Sequence, residues 1–172
     1  MAIDYASLIR NIPDFPEPGI IFRDITPLLG NAEAYRGVIQ DLTAPFRDQQ
    51  IDQVIAIEAR GYLLGAPMAL ELNAGFVPVR KIGKLPFHTY RAEYALEYGQ
   101  AVIEMHQDGL LKGQRVLVVD DVLATGGTVN AAMDLVRQSG AIVAGVSILI
   151  ELAALQGRDR LHGYPLHTLI TF

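Results

Sequence analysis

The thirteen residues Val116 to Thr128, VLVVDDVLATGGT, constrain this chain most, because an apolar run meets two carboxylates and then a turn of small residues. Val116 to Val119 are β-branched or Leu without alternation, the pattern of a strand buried on both faces in a parallel sheet covered by helices. Such a strand is expected to end where charge begins. That puts Asp120 and Asp121 at its C-terminal end, where ligands bind in open α/β sheets. Ala124-Thr125-Gly126-Gly127-Thr128 then offers backbone N–H groups with little side-chain bulk, and the periodic segment from Val129 (Ala132, Leu135, Val136) predicts a helix beginning there. Amides at a helix N-terminus favour an anion. The Thr hydroxyls add donors for phosphate oxygens, whereas the carboxylates repel phosphate but accept hydrogen bonds from sugar hydroxyls. Together they describe a site for a ribose 5-phosphate.

A bare Gly-Gly turn would read as an ordinary strand, turn and helix with a capping Thr. Here thirteen positions act together, and they form neither GxGxxG nor the Walker pattern GxxxxGK[ST].

Taken in order, residues 3–12 have partial helical spacing that Pro13 stops, which predicts a short opening helix. Pro13, Pro16, Pro18 and Pro27 then surround Ile20 to Asp24, predicting extended backbone fixed by turns rather than regular structure. From Asn31, an N-cap residue type, Tyr35, Val38, Ile39, Leu42 and Phe46 recur as on an amphipathic helix ending near Arg47. Val54 to Ile57 read as a buried strand closed by Glu58-Ala59-Arg60-Gly61, and Tyr62 to Asn73 as a helix despite Pro67. Phe76 to Val79 form the next strand, with Arg80, Lys81 and Lys84 behind it. Leu85 to Glu97 lack a steady period and predict a mobile loop. Ala101 to Met105, Ile142 to Ile150 and His167 to Phe172 are further strands, with a polar turn at Gly157 to Arg160. Strands alternating with helices imply βαβ units and a mainly parallel sheet flanked by helices, an α/β fold.

The 172 residues, 51% of them hydrophobic, suit one domain with a real core. A net charge of -5 argues against nucleic-acid or anionic-membrane partners, although a local basic pocket remains compatible with it. Without cysteine there are no disulfides or thiolate metal sites, and His88, His106, His162 and His167 lack metal-ligand spacing. Asp4 and Arg10 interrupt the N-terminus, and no charge-free run reaches about 18 residues, so a cytoplasmic location is the expectation.

VLVVDDVLATGGT resembles the phosphoribosyl-diphosphate (PRPP) signature of type I phosphoribosyltransferases. With GIIFRDITPLL, AIEARGYLLGAP, GFVPVRKIGKLP and ALEYG, it resembles the adenine phosphoribosyltransferase family in order along almost the whole chain. The resemblance implies the type I fold with a small hood from about residues 1–30, a homodimer, and transfer of 5-phosphoribosyl from PRPP to adenine N9, giving AMP and pyrophosphate with Mg²⁺. It assigns the 5-phosphate to Ala124, Thr125, Gly126, Gly127 and Thr128, and the ribose hydroxyls to Asp120 and Asp121. Glu58, Ala59 and Arg60 of the pyrophosphate loop, with Arg80, Lys81 and Lys84, would face the diphosphate. Ile21 and Arg23 would meet the adenine edge, Phe22 and Val122 would sandwich its rings, and Glu97 and Tyr98 match the family's catalytic pair. No protein metal ligand is implied, Mg²⁺ being held mainly by PRPP and water.

Phe87, His88, Tyr90, Arg91 and Ala92 depart from the more acidic, hydroxyl-rich loop of many family members, while Thr89, Tyr94 and Leu96-Glu97-Tyr98-Gly99 fit it. Two other readings compete. Transfer to hypoxanthine or guanine is opposed by the hood segment, and a PRPP-sensing regulator by the acidic charge, the single-domain length and the presence of Glu97.

Overall fold

Along residues 3–95 and 100–172, which the computed structural model describes, strands and helices alternate much as the periodicity predicts. In chain order they are β1 (Arg10–Pro13), β2 (Ile21–Asp24), α1 (Thr26–Leu29), α2 (Ala32–Thr43), β3 (Gln53–Ile57), α3 (Arg60–Glu71) and β4 (Gly75–Lys81). There follow β5 (Thr89–Ala95), β6 (Gln100–His106), β7 (Arg115–Leu123), α4 (Gly127–Gln138), β8 (Ile142–Glu151) and β9 (Leu166–Thr171). The main sheet has the order β5-β6-β4-β3-β7-β8-β9. It is parallel from β4 through β9, and β6 and β5 add an antiparallel hairpin at one edge.

Side chains alternate across a strand, so each inner strand feeds two cores. Ile55, Ile57, Val116 and Val118 pack with α4 through Val129, Ala132, Met133 and Val136. Val54, Ala56, Leu117 and Val119 pack with α2 and α3 through Val38, Leu42, Leu64 and Met68. Burying each such Val, Leu or Ile stabilises the fold by about 1.5–3 kcal/mol, and together they hold the ends of β3, β4 and β7 side by side. Asn31 caps α2 as expected, accepting from the N–H groups of Glu33 and Ala34 at 3.1 Å. Pro67 sits inside α3 and cannot supply the N–H that would bond the Leu63 carbonyl. The Tyr35 hydroxyl of α2 donates to that carbonyl instead, so tertiary packing repairs the helix defect.

The structure corrects four expectations. The opening helix is only a 3₁₀ turn, Tyr5–Leu8, and the Pro-rich stretch after it is regular: β1 and β2 pair antiparallel, with Arg10 opposite Asp24. A two-stranded ribbon leaves one side of each strand unpaired, where a missing proline N–H costs nothing, and its turn carries Asp14 at φ 56° and Gly19 at φ 88°. The expected mobile loop contains β5, whose Tyr90, Ala92 and Tyr94 face the core at period two. Finally, β7 runs on through the two aspartates to Leu123 rather than stopping at Val119, because β8 continues to pair with it there.

Candidate active site

The ends of β4, β3 and β7 lie next to one another, and each carries charge. On β7, Asp120 and Asp121 are almost fully buried, and Asp120 Oδ1 accepts from the Asp121 N–H at 2.9 Å. Burial, then the neighbouring Asp121 charge, raises the Asp120 carboxyl well above the usual carboxylate range. Asp121 is raised too, by burial first, with Arg60 pulling the other way. A Cβ on Gly61 would come within 2.9 Å of Asp120 Oδ1, so only glycine lets the first turn of α3 approach so closely.

Arg60 joins this pair to the N-terminal ribbon. Its Nε lies 2.7 Å from Asp121 Oδ2, its Nη1 donates to the Arg23 carbonyl at 3.2 Å, and its guanidinium stacks over Phe22, 4.6 Å from the ring centre. The contact with Asp121 is an ion pair without hydrogen-bond alignment, and Oδ2 has no aligned donor among the described residues. Phe22 also meets Phe15 edge-on, and Arg23 stacks on Phe172 at 3.9 Å, so the C-terminus braces the ribbon. Ile21 is exposed beside them.

Beyond the aspartates, Val122 to Val129 line a small cup of about 60 Å³ that includes Ala124, Thr125, Gly126, Gly127 and Thr128. Gly126 adopts φ 80° and caps α4, so that the chain turns from strand to helix within three residues. Gly157 backs the cup: a Cβ on it would fall 2.2 Å from the Ala124 carbonyl oxygen and 2.9 Å from the Gly126 nitrogen. Glu151 holds that segment through Arg158 Nε at 3.0 Å and the Thr168 hydroxyl at 2.9 Å. The Ala95 carbonyl and the Tyr94 ring flank Gly127, so the end of β5 reaches the cup. A concavity of about 650 Å³ between the outer faces of α2 and α3, lined by Tyr35, Arg36, Pro67 and Leu70, is larger but carries none of this chemistry.

On the other side of β3, Glu58 accepts from Arg80 Nε at 2.9 Å and from the Lys81 N–H at 2.7 Å, and Arg80 Nη1 donates to the Lys84 carbonyl at 3.2 Å. The Glu58–Ala59 peptide is cis. Burial pushes Glu58 up, but the Lys81 and Arg80 contacts outweigh it and hold the carboxyl below its ordinary value. Lys81 and Lys84 are exposed. Glu97 and Tyr98 lie outside the described residues; Ala95 and Gln100, which flank their segment, pair across the hairpin. The motifs gave no sign of Glu151, and they marked Gly157 only as the start of the polar turn Gly157 to Arg160 rather than as a support of the cup.

A doubly flanked, mainly parallel sheet with a cup of small residues after a carboxylate-bearing strand is the arrangement expected of a phosphoribosyltransferase, and the family model for the phosphoribosyl transferase domain matches residues 29–170. An adenine phosphoribosyltransferase of a Nocardioides species is 57% identical over 96% of this chain and 91% of its own. The crystal structure of the adenine phosphoribosyltransferase from Thermoanaerobacter pseudethanolicus superposes with a TM-score of 0.95 at 50% identity, over 98% of both chains. The Saccharomyces cerevisiae enzyme, solved with an iminoaltritol bisphosphate and adenine, gives 0.91 at 37% identity over 96% of both. The chain belongs to the adenine phosphoribosyltransferase family.

Proposed function

We infer that this chain is a pentosyltransferase that moves the 5-phosphoribosyl group of PRPP to N9 of adenine, giving AMP and pyrophosphate, a purine-salvage reaction. The observation that carries this reading is the placement, on three adjacent strand ends, of a buried carboxylate pair between a cup of small residues at a helix N-terminus and a cationic loop. That order matches the order of PRPP itself, with 5-phosphate, ribose hydroxyls and diphosphate in succession. The yeast relative's complex with adenine supports the choice of base.

Ala124 to Thr128 hold the 5-phosphate by N–H groups and hydroxyls, and Asp120 and Asp121 accept from the ribose hydroxyls. Asp121 Oδ2, lacking an aligned donor, suits that task. Arg60, Arg80, Lys81 and Lys84, with the backbone of Glu58 and Ala59, receive the diphosphate. As the C1–O bond breaks, its electron pair leaves on pyrophosphate while positive charge grows on the ribose; fixed cations therefore act most strongly in the transition state. The N9 lone pair forms the new bond, and Glu97 orients the base or takes its proton, with Tyr98 beside it. The β1–β2 ribbon is the hood of a single domain: Ile21 and Arg23 present backbone groups to the adenine edge, while Phe22 and Val122 bracket its rings. Adenine binding then requires the Arg60 guanidinium to shift from the Phe22 face it covers.

The carboxylates of Asp120 and Asp121 and the hydroxyls of Thr125 and Thr128 are hard oxygen donors that fit Mg²⁺. Such an ion would be held mainly by PRPP and water, with Asp120 and Asp121 as the nearest carboxylates of the chain. When bound, Mg²⁺ neutralises charge on the departing diphosphate. Among the described residues no helix is long and apolar enough to cross a membrane; a cytoplasmic homodimer is proposed on the family resemblance alone.

The test is AMP formation from PRPP and Mg²⁺ with adenine, hypoxanthine or guanine supplied separately. Adenine alone should yield product, and EDTA should abolish it. Product from a 6-oxopurine would overturn the hood assignment, and PRPP binding without product from any base would replace the enzyme by a sensor.

A further inference from the structure

Glu104 lies within the apolar run of β6 and is 2% exposed, the least exposed acid among the described residues. No motif singles it out. Burying a carboxylate is costly unless its oxygens are satisfied, and an apolar side chain at this position would fill the sheet more cheaply. Its partners account for its presence. Oε1 accepts from the Gly83 N–H at 3.0 Å and the Leu85 N–H at 3.2 Å, the N–H groups of the two residues flanking Lys84. Oε2 accepts from the Thr89 hydroxyl at 3.1 Å and lies 3.6 Å from Arg91 Nε. Burial pushes this carboxyl up, yet the bonds from Leu85, Thr89 and Gly83 and the Arg91 charge prevail, so it stays ionised to a lower pH than usual.

The Lys84 carbonyl is held from the other side by Arg80, itself fastened to Glu58. The backbone from Gly83 to Leu85 therefore hangs from three bonds, and two of them end on one oxygen of Glu104. Gly83 at φ 80° turns the chain so that both neighbouring amides converge there. The Lys84 ammonium has no ion-pair partner among the described residues and projects from this anchored backbone toward solvent. A flexible four-carbon side chain loses less entropy on meeting a ligand when its root is already immobile.

We propose that Glu104 is a positioning residue for the leaving group, holding the Gly83–Leu85 backbone so that Lys84 meets the diphosphate oxygens; this rests on the phosphoribosyl-transfer reading above. Glu104 touches no substrate and acts through Lys84. The experiment compares wild type, Glu104→Gln, Lys84→Ala and the double variant for pyrophosphate and AMP affinity by calorimetry, and for KM of PRPP and of adenine.

Gln keeps the shape of the side chain and can still accept both N–H groups on its one oxygen, but as neutral bonds about half as strong, and its amide nitrogen can neither accept from Thr89 nor pair with Arg91. Glu104→Gln is expected to raise the pyrophosphate Kd and the PRPP KM about tenfold, while the AMP Kd and the adenine KM change less than twofold. The double variant should be no weaker for pyrophosphate than Lys84→Ala alone, because residues acting through one another are not additive. Equal weakening of AMP and pyrophosphate, or losses that add, would show general structural support and overturn the proposal. Should Glu104→Gln fail to fold, Lys84→Ala, an exposed change, and the milder Thr89→Val carry the test: unchanged pyrophosphate affinity in both would also overturn it. Failure of the underlying reading shows in the wild type, as absence of AMP from adenine and PRPP, whereas failure of this inference shows only in the variants.

Discussion

Asp120 is buried beside a second carboxylate, and at neutral pH that arrangement opposes folding. Its carboxyl is raised, by burial first and the Asp121 charge next, so the cost enters as pH rises from the ordinary value of 3.8 through the raised folded value. Below 3.8 both folded and unfolded chains hold the proton and the cost vanishes. Asp120→Asn should therefore raise the thermal midpoint at pH 7 by roughly 2–4 °C, the shift that about 1 kcal/mol brings at this chain length. That gain should shrink as scanning calorimetry is repeated toward pH 4. The same change removes an ionised acceptor for a ribose hydroxyl, a bond of about 1.5–3 kcal/mol, so the PRPP KM should rise roughly 10- to 100-fold. A variant both less stable and unimpaired would contradict the assignment. Burying an acid pair at a site is the familiar exchange of stability for binding.

Among the elements, the cup between β7 and α4 depends on a neighbour far along the chain. Gly157 lies against Ala124 and Gly126, and a methyl group there would overlap backbone that has nowhere to move. Gly157→Ala should cost about 1–3 kcal/mol by overpacking and distort the phosphate-binding amides. AMP affinity measured by calorimetry should fall about tenfold or more, whereas adenine affinity should change little; equal AMP binding in the variant would show that the loop is not braced by Gly157. The hairpin of β5 and β6 teaches a related lesson. Tyr90, Ala92 and Tyr94 alternate with Thr89, Arg91 and Glu93, which is a strand pattern, but a small Ala at its centre and a polar lead-in disguised it as loop. The ribbon of β1 and β2 was hidden by its prolines, which forbid a central strand yet suit a two-stranded edge.

For the molecule as a whole, the homodimer expected of the family has apolar surface to use, since Leu63, Leu70 and Ile82 are 45%, 83% and 49% exposed. Sedimentation equilibrium is expected to give twice the chain mass at micromolar concentration, and a monomer would reject that expectation. The inner strands, the helices α2 to α4 and the strand-loop-helix of the cup were all legible from sequence, because hydrophobic period and small-residue turns are local properties. So were the charged residues of the site, by type and by position at strand ends. The sequence by itself thus determined the α/β class, the order of elements and the chemical inventory of the site. Only the tertiary structure decided which strands became neighbours, that Arg60 spans from Asp121 to the hood, that Gly157 supports a loop some 30 residues before it, and that Glu104 is buried beneath Lys84. Each of those contacts joins residues distant in the chain, and their energy exists only once packing has brought them together and removed the water between them.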